Sequence, residues 1–213
     1  GDNSDWAVYA RKSPNLTISD CSISNSSTAE GAIYLSESWN SRIENTTIGS
    51  IKGTGIYTIN STNSLAITGV RIDGTGAAGV GNGVYITGNN TVFTGCTIQG
   101  IGKLGDLIGR GISFNTCYFE SYDSAFLCGS LAVAVAFREC YASPHVSTNY
   151  FIDAPSGVTG LQVEGLFIDG DHATSVLRLG VSASKVVLSG IIKQATLAPP
   201  ASIYTGSVPV SEV

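Results

Sequence analysis

Apolar and polar residues follow one eight-position pattern along this chain, Φ-x-Φ-x-[G/N/D]-Φ-x-Φ, where Φ is apolar. It reads LTISDCSI from residue 16, SRIENTTI from 41, LAITGVRI from 65 and TVFTGCTI from 91. It continues as ISFNTCYF from 112, VAFRECYA from 135, LQVEGLFI from 161 and VVLSGIIK from 186. Successive copies start 25, 24, 26, 21, 23, 26 and 25 residues apart. Positions 1 and 3 alternate inward, as in a half-buried strand. Position 4 is polar in every copy, which marks a solvated face. Position 5 is Asp20, Asn45, Gly69, Gly95, Gly165 or Gly190 in six copies, and Thr116 or Glu139 in the other two. Asp, Asn and Gly tolerate a left-handed backbone, so a sharp bend is predicted there. Positions 6 and 8 then form a second short strand.

A further apolar strand precedes most copies: WAVYA, GAIYL, GIYTI, GVYIT, AFLCG, YFIDA and SVLRL. Each period therefore holds three short strands separated by turns. Strands that return in one direction once per period stack in parallel on the next. The predicted fold is all-β, a right-handed single-stranded parallel β-helix of about eight coils of roughly 24 residues. At a step of ~4.8 Å per coil, the rod is roughly 35–40 Å long. The solenoid spans residues 1–194, and the Pro-rich segment 195–213 reads as an exit segment or linker. With no Met and no capping segment, the chain reads as part of a longer protein. One coil is irregular: GRGISF (109–114) fits both the preceding strand and the main motif, so 100–111 is expected to bulge as a loop.

Position 6 places Cys96, Cys117 and Cys140 on successive coils, a column expected to hold buried thiols rather than a disulfide. Tyr9, Tyr34, Tyr57 and Tyr85 recur at one outward position of the preceding strand, as a ladder. Counting on gives Ser113, Leu127, Ile152 and Leu177, an outward strip that is mostly apolar and needs a partner. Packing against another subunit or covering segment and stacking of sugar rings on the tyrosines both fit that strip.

Charge narrows the chemistry. Net charge is −5, only 13% of residues are charged and no Lys/Arg run occurs, which argues against nucleic-acid binding. No apolar stretch is long enough to insert in a membrane. No CxxC occurs and His145 and His172 lack ligand spacing, so no metal and no cofactor is expected. The residue after position 8 is Asp73, Gln99, Glu120, Ser143 and Asp169 on five successive coils, a polar and partly acidic column. Asp73 and Glu120 are two coils apart, ~10 Å, within side-chain reach of the carboxyl separation of inverting glycosidases. Glu120 and Asp123, in ESYDSAF, share one turn and can divide acid and base roles. Glu120, Asp123 and Asp73 are the catalytic candidates. Tyr57, Tyr85, Arg110 and Tyr122 are the substrate-binding candidates, Arg110 as a partner for a sugar carboxylate. Solvated turn acids are the competing reading for each carboxylate. FIDGDHA (167–173) also groups Asp169, Asp171 and His172, as acid–base groups or as a polar turn.

The coil motif over about residues 5–194 resembles the pectate-lyase-like right-handed parallel β-helix superfamily, in particular phage tailspikes and polysaccharide depolymerases. DSAF is similar to an Asp-bearing segment of pectinase-type glycosidases, whose second Asp and Gly-His-Gly are absent here. The resemblance implies a homotrimeric tailspike on a virion tail, outside the cell. It would bind and depolymerise a bacterial capsular or O-antigen polysaccharide as a glycoside hydrolase. A non-enzymatic shaft or adhesin and a secreted pectinase-like hydrolase or lyase are the alternatives.

Overall fold

In a computed structural model the chain winds as a parallel β-solenoid with three strands per coil. The structure describes residues 5–24, 30–59, 61–76, 80–145, 148, 150–170, 175–194, 204–205 and 211–212. No helix occurs among them. Every strand pairing is parallel, from Trp6–Arg11 on Gly31–Ser36 to Phe167–Asp169 on Ile192–Gln194. The strand before the motif, its first half and its second half build the first, second and third ladders. The second ladder is a 9-stranded sheet of its own. The first and third form one 15-stranded sheet, because Thr97–Leu107 and Tyr118–Cys128 run on from the third ladder into the first.

The inward column at position 3 shows what holds the coils together. Ile18, Ile43, Ile67, Phe93, Phe114, Phe137, Val163 and Leu188 are in register and all buried. Phe114 stacks on Phe93 at 4.4 Å and on Phe137 at 5.0 Å. Identical inward chemistry on successive coils lets each side chain fill the step between itself and the next.

The predicted bend at position 5 is present in all eight copies, with φ between 47° and 63°. Thr116 and Glu139 adopt it too, both at φ 51°. Its backbone amide does not lose its partner. From Asp20 to Gly165 each donates to the position-4 carbonyl of the next coil, at 2.8–3.1 Å. These inter-coil bonds hold even Thr116, whose β-branched side chain disfavours that conformation. The residue before position 1 makes a second left-handed corner: Asn15, Asn40, Ser64, Asn90, Gly111, Ala134, Gly160 and Lys185, at φ 52° to 74°.

The irregular coil is not a loop. Lys103–Leu107 supplies the first-ladder strand, with Val84 opposite Gly105 and Tyr85 opposite Asp106. Arg110–Asn115 belongs wholly to the second ladder. The 21-residue spacing is reached by removing the turn between the third and first ladders, leaving only a bend at Gly100 (φ 60°). The outward column after Tyr85 is therefore Asp106, Leu127, Asp153 and Arg178. Ser113 lies in the second ladder, and Ile152 and Leu177 point into the core, fully buried. The mostly apolar continuation expected from the sequence is thus a mainly polar one.

Cys96, Cys117 and Cys140 are buried free thiols on successive coils. Each donates to a main-chain carbonyl: Cys117 to Asn115 at 3.3 Å, Cys140 to Arg138 at 3.3 Å, Cys96 to Ile67 at 3.4 Å. Within the exit segment, Tyr204–Thr205 and Ser211–Glu212 add to the first and second ladders.

Candidate functional site

The two halves of the first ladder present different outer faces. Tyr9, Tyr34, Tyr57 and Tyr85 stack nearly parallel, with centroids 4.7, 5.5 and 4.5 Å apart. Trp6 leans on Tyr34 and Tyr57 at 5.3 and 5.5 Å. Both faces of Tyr57 are thus covered by neighbouring rings, and one face of Tyr85 by Tyr57. Burial, then the flanking Tyr85 and Tyr34, raises the Tyr57 hydroxyl above its ordinary range. The rings offer edges and hydroxyls outward, so stacking of a sugar on their faces is closed to Tyr57 and half closed to Tyr85. Beyond Tyr85, Asp106 pairs with Lys103 and accepts from Asn82 Nδ2 at 3.3 Å.

Farther along the ladder an open cavity of about 270 Å³ is lined by Asp123, Ser124, Ala125, Tyr150, Asp153 and Arg178. Asp153 and Arg178 sit side by side in the outward column. Arg178 Nε and Nη2 donate to the two Asp153 carboxylate oxygens, both at 2.6 Å. The guanidinium carbon lies 4.9 Å from the Tyr150 ring centroid. The hydrogen bonds to Asp153 raise the Arg178 pKa further. Such a two-bond pair fixes the guanidinium plane as well as its charge.

Asp123 reaches this cavity because of a backbone corner. Strict alternation from Tyr118 and Glu120 would point Tyr122 outward and Asp123 inward. Ser121 is left-handed (φ 51°) and shifts the parity by one residue. Tyr122 is consequently a fully buried core residue, and its candidacy as a ligand-binding group is withdrawn. Asp123 emerges at the surface, where its Oδ1 lies 3.4 Å from His145 Nδ1. The segment carrying His145 is tied to the same corner. His145 N and Thr148 Oγ1 donate to the Tyr122 carbonyl at 3.1 and 2.6 Å. Asp123, which lines the open cavity, faces His145, and such a carboxylate–imidazole pair is able to give and take a proton.

A second aromatic column occupies the third ladder of the same coils. Tyr118 stacks on Tyr141 at 4.7 Å, and Tyr141 on Phe167 at 5.5 Å. The acidic column predicted from the sequence runs beside it, with Asp73, Gln99, Glu120 and Ser143 in register. Tyr141 Oη donates to Asp169 Oδ2 at 2.6 Å, which pushes the phenol up to about 12. Burial, then the charge of Glu120 and a hydrogen bond with it, raises the Tyr118 phenol.

Of the sequence candidates, only Asp123 lines the cavity. Glu120 precedes it across the Ser121 corner, facing out beside Tyr118. Asp73 lies in the expected column but is held by Arg71 of its own strand, at 2.7 and 3.0 Å. Arg110 opens a second-ladder strand, opposite Asn89 and Val133, on a different sheet from the cavity. Asp171 and His172 lie outside the described residues. Asp153, Arg178, Tyr150 and His145 were not singled out as candidates for this cavity. Asp153 and Arg178 lie one residue beyond Ile152 and Leu177, and the pairing of Leu127 with Asp153 brings them into one outward column. His145 carries no such periodic signal. Among the described residues no cluster of three or more His, Cys, Asp or Glu side chains is placed to hold a metal.

Neither the curated proteins nor the solved structures yield a match to this chain. Residues 1–120, more than half of the chain, match a family model described as right handed beta helix region. The ladders continue in the same register past residue 120, through the coils that carry the cavity. Three parallel ladders, a recurring left-handed corner and that match place the chain in the family of right-handed β-helix regions.

Proposed function

We propose that this β-helix binds and hydrolyses a polysaccharide at the corner between the third and first ladders, in the half of the rod that carries the cavity. The fold is compatible with polysaccharide-binding or polysaccharide-hydrolysing proteins. The observation that carries the proposal is Asp123 facing His145 at the open cavity, with aromatic columns and carboxylates around it. Asp123 is the acid–base group, exchanging its proton with His145. Glu120, three residues before it, is the second carboxylate that glycoside hydrolysis calls for. Hydrolysis is favoured over elimination because a lyase must neutralise a uronate carboxylate. The cavity's Arg178 is already engaged by Asp153, and Arg110 lies on another sheet.

In this reading the target is a bacterial capsular or O-antigen polysaccharide, and the chain serves as part of a homotrimeric tailspike on a virion tail. Its support is the resemblance of the 24-residue coil motif to phage depolymerases. The second reading, a non-enzymatic shaft or adhesin, is favoured by the covered faces of the Tyr9–Tyr85 stack and by the mutual pairing of Asp153 and Arg178. The test is release of reducing ends from a panel of capsular and O-antigen polysaccharides. Asp123→Asn abolishes release while the circular dichroism spectrum stays unchanged. A shaft binds or assembles without any release, and a monomer by light scattering removes the trimer.

A further inference from the structure

We infer that the glycan segment meeting this corner carries neither carboxylate nor phosphate: its class is a neutral or amino-sugar polysaccharide. The inference rests on the glycan reading of the corner and narrows it. Four carboxylates, Asp123, Asp153, Glu120 and Asp169, face out around the cavity and the adjoining third ladder, against the Arg178 guanidinium and the His145 imidazole beside Asp123. That guanidinium is spent locally, since Arg178 gives two hydrogen bonds to Asp153 and lies over the Tyr150 ring. The nearest lysine on the first ladder, Lys103, is bound to Asp106. Asp123 and Asp153 line the same cavity from neighbouring coils, with Asp153 opposite Leu127. An anion bound in the cavity would therefore meet the Asp123 carboxylate within one Debye length, ~8 Å at physiological salt, while the Arg178 charge is already balanced by Asp153. Carboxylate oxygens accept hydrogen bonds, which suits the hydroxyl, amide and ammonium donors of neutral and amino sugars. The same acceptors repel a uronate or phosphate.

A glycan array tests this, using the full chain in 150 mM and in 20 mM salt. It carries neutral, amino-sugar, uronate-containing and phosphorylated oligosaccharides. The expected result is binding to neutral or amino-sugar glycans, with their uronate or phosphate counterparts at least about tenfold weaker. A uronate or phosphorylated glycan bound as tightly as its neutral counterpart, and tighter still at low salt, overturns the inference but leaves the glycan reading standing. Binding to no glycan overturns that reading and the inference with it. Asp153→Asn gives a second readout, because it releases Arg178. Uronate binding should then rise about tenfold relative to neutral binding. No rise in a variant with an unchanged circular dichroism spectrum contradicts the inference.

Discussion

The first four coils and the last four share a backbone and differ in what they show the solvent. In the first four, aromatic rings line the first ladder as Tyr9, Tyr34, Tyr57 and Tyr85, and the third ladder carries Ser22, Thr47, Arg71 and Thr97. In the last four the aromatic column has moved to the third ladder, as Tyr118, Tyr141 and Phe167, followed by exposed Ile192. The first ladder there becomes Asp106, Leu127, Asp153 and Arg178. The core changes as well, from Ile-rich coils to a cluster in which Phe114, Phe119, Phe126, Phe137 and Phe151 touch. Inward positions and left-handed corners fix the coil, while outward columns can change chemistry from one coil to the next. The N-terminal stack consumes its ring faces in packing. The C-terminal coils leave an open polar cavity, where the proposed chemistry is placed.

Breaking the shared core should have the largest effect. Phe114 sits where the two halves meet, so Phe114→Ala is expected to cost about 3–5 kcal/mol. Because solenoid coils are coupled only through neighbours, urea unfolding of that variant should split into two transitions. A single transition of unchanged midpoint would show that the stack does not couple the halves. Tyr57→Ala removes two stacking contacts of the N-terminal face and should cost about 1–3 kcal/mol, with glycan binding unchanged. Lost binding in a folded Tyr57→Ala protein would place the site on the wrong half. Thr116→Gly relieves a β-branched residue at φ 51° and should stabilise by about 1 kcal/mol in thermal unfolding. Asp169→Asn should bring the Tyr141 phenol down from about 12, read by ultraviolet titration. In the native chain that phenol is raised above its unfolded range near 10. Its contribution to stability is therefore complete below pH 10 and lost as pH rises through about 12. An unmoved titration would detach Tyr141 from Asp169.

Much of the fold was legible because it repeats. The position-5 bend was visible in Asp, Asn and Gly, and the coil enforces it even on Thr116 and Glu139. The second corner carries a weaker signal, Asn or Gly in five of eight copies, while Ser64, Ala134 and Lys185 have no shared preference for φ near 55°. There the inter-coil register imposes the conformation on whatever residue is present. The site was legible only in part. The acidic column and Asp123 could be named, but one left-handed residue, Ser121, decides which of Tyr122 and Asp123 faces out. The column of Asp153 and Arg178 was hidden by a one-residue slip after Leu127, because FID and VLR offer an apolar residue, Ile152 or Leu177, beside each outward polar one. His145 meets Asp123 through a turn that has no period to read.

The central claim is that the corner of the C-terminal coils, through Asp123, carries the chemistry. Reducing-end release from the glycan bound best on the array measures it directly, with Asp123→Asn and Tyr57→Ala compared side by side. Asp123→Asn should lower the rate by about a hundredfold or more, and Tyr57→Ala should leave it within about twofold, since only the former removes a general acid–base group. Full activity in Asp123→Asn, or its loss in Tyr57→Ala alone, would contradict the account.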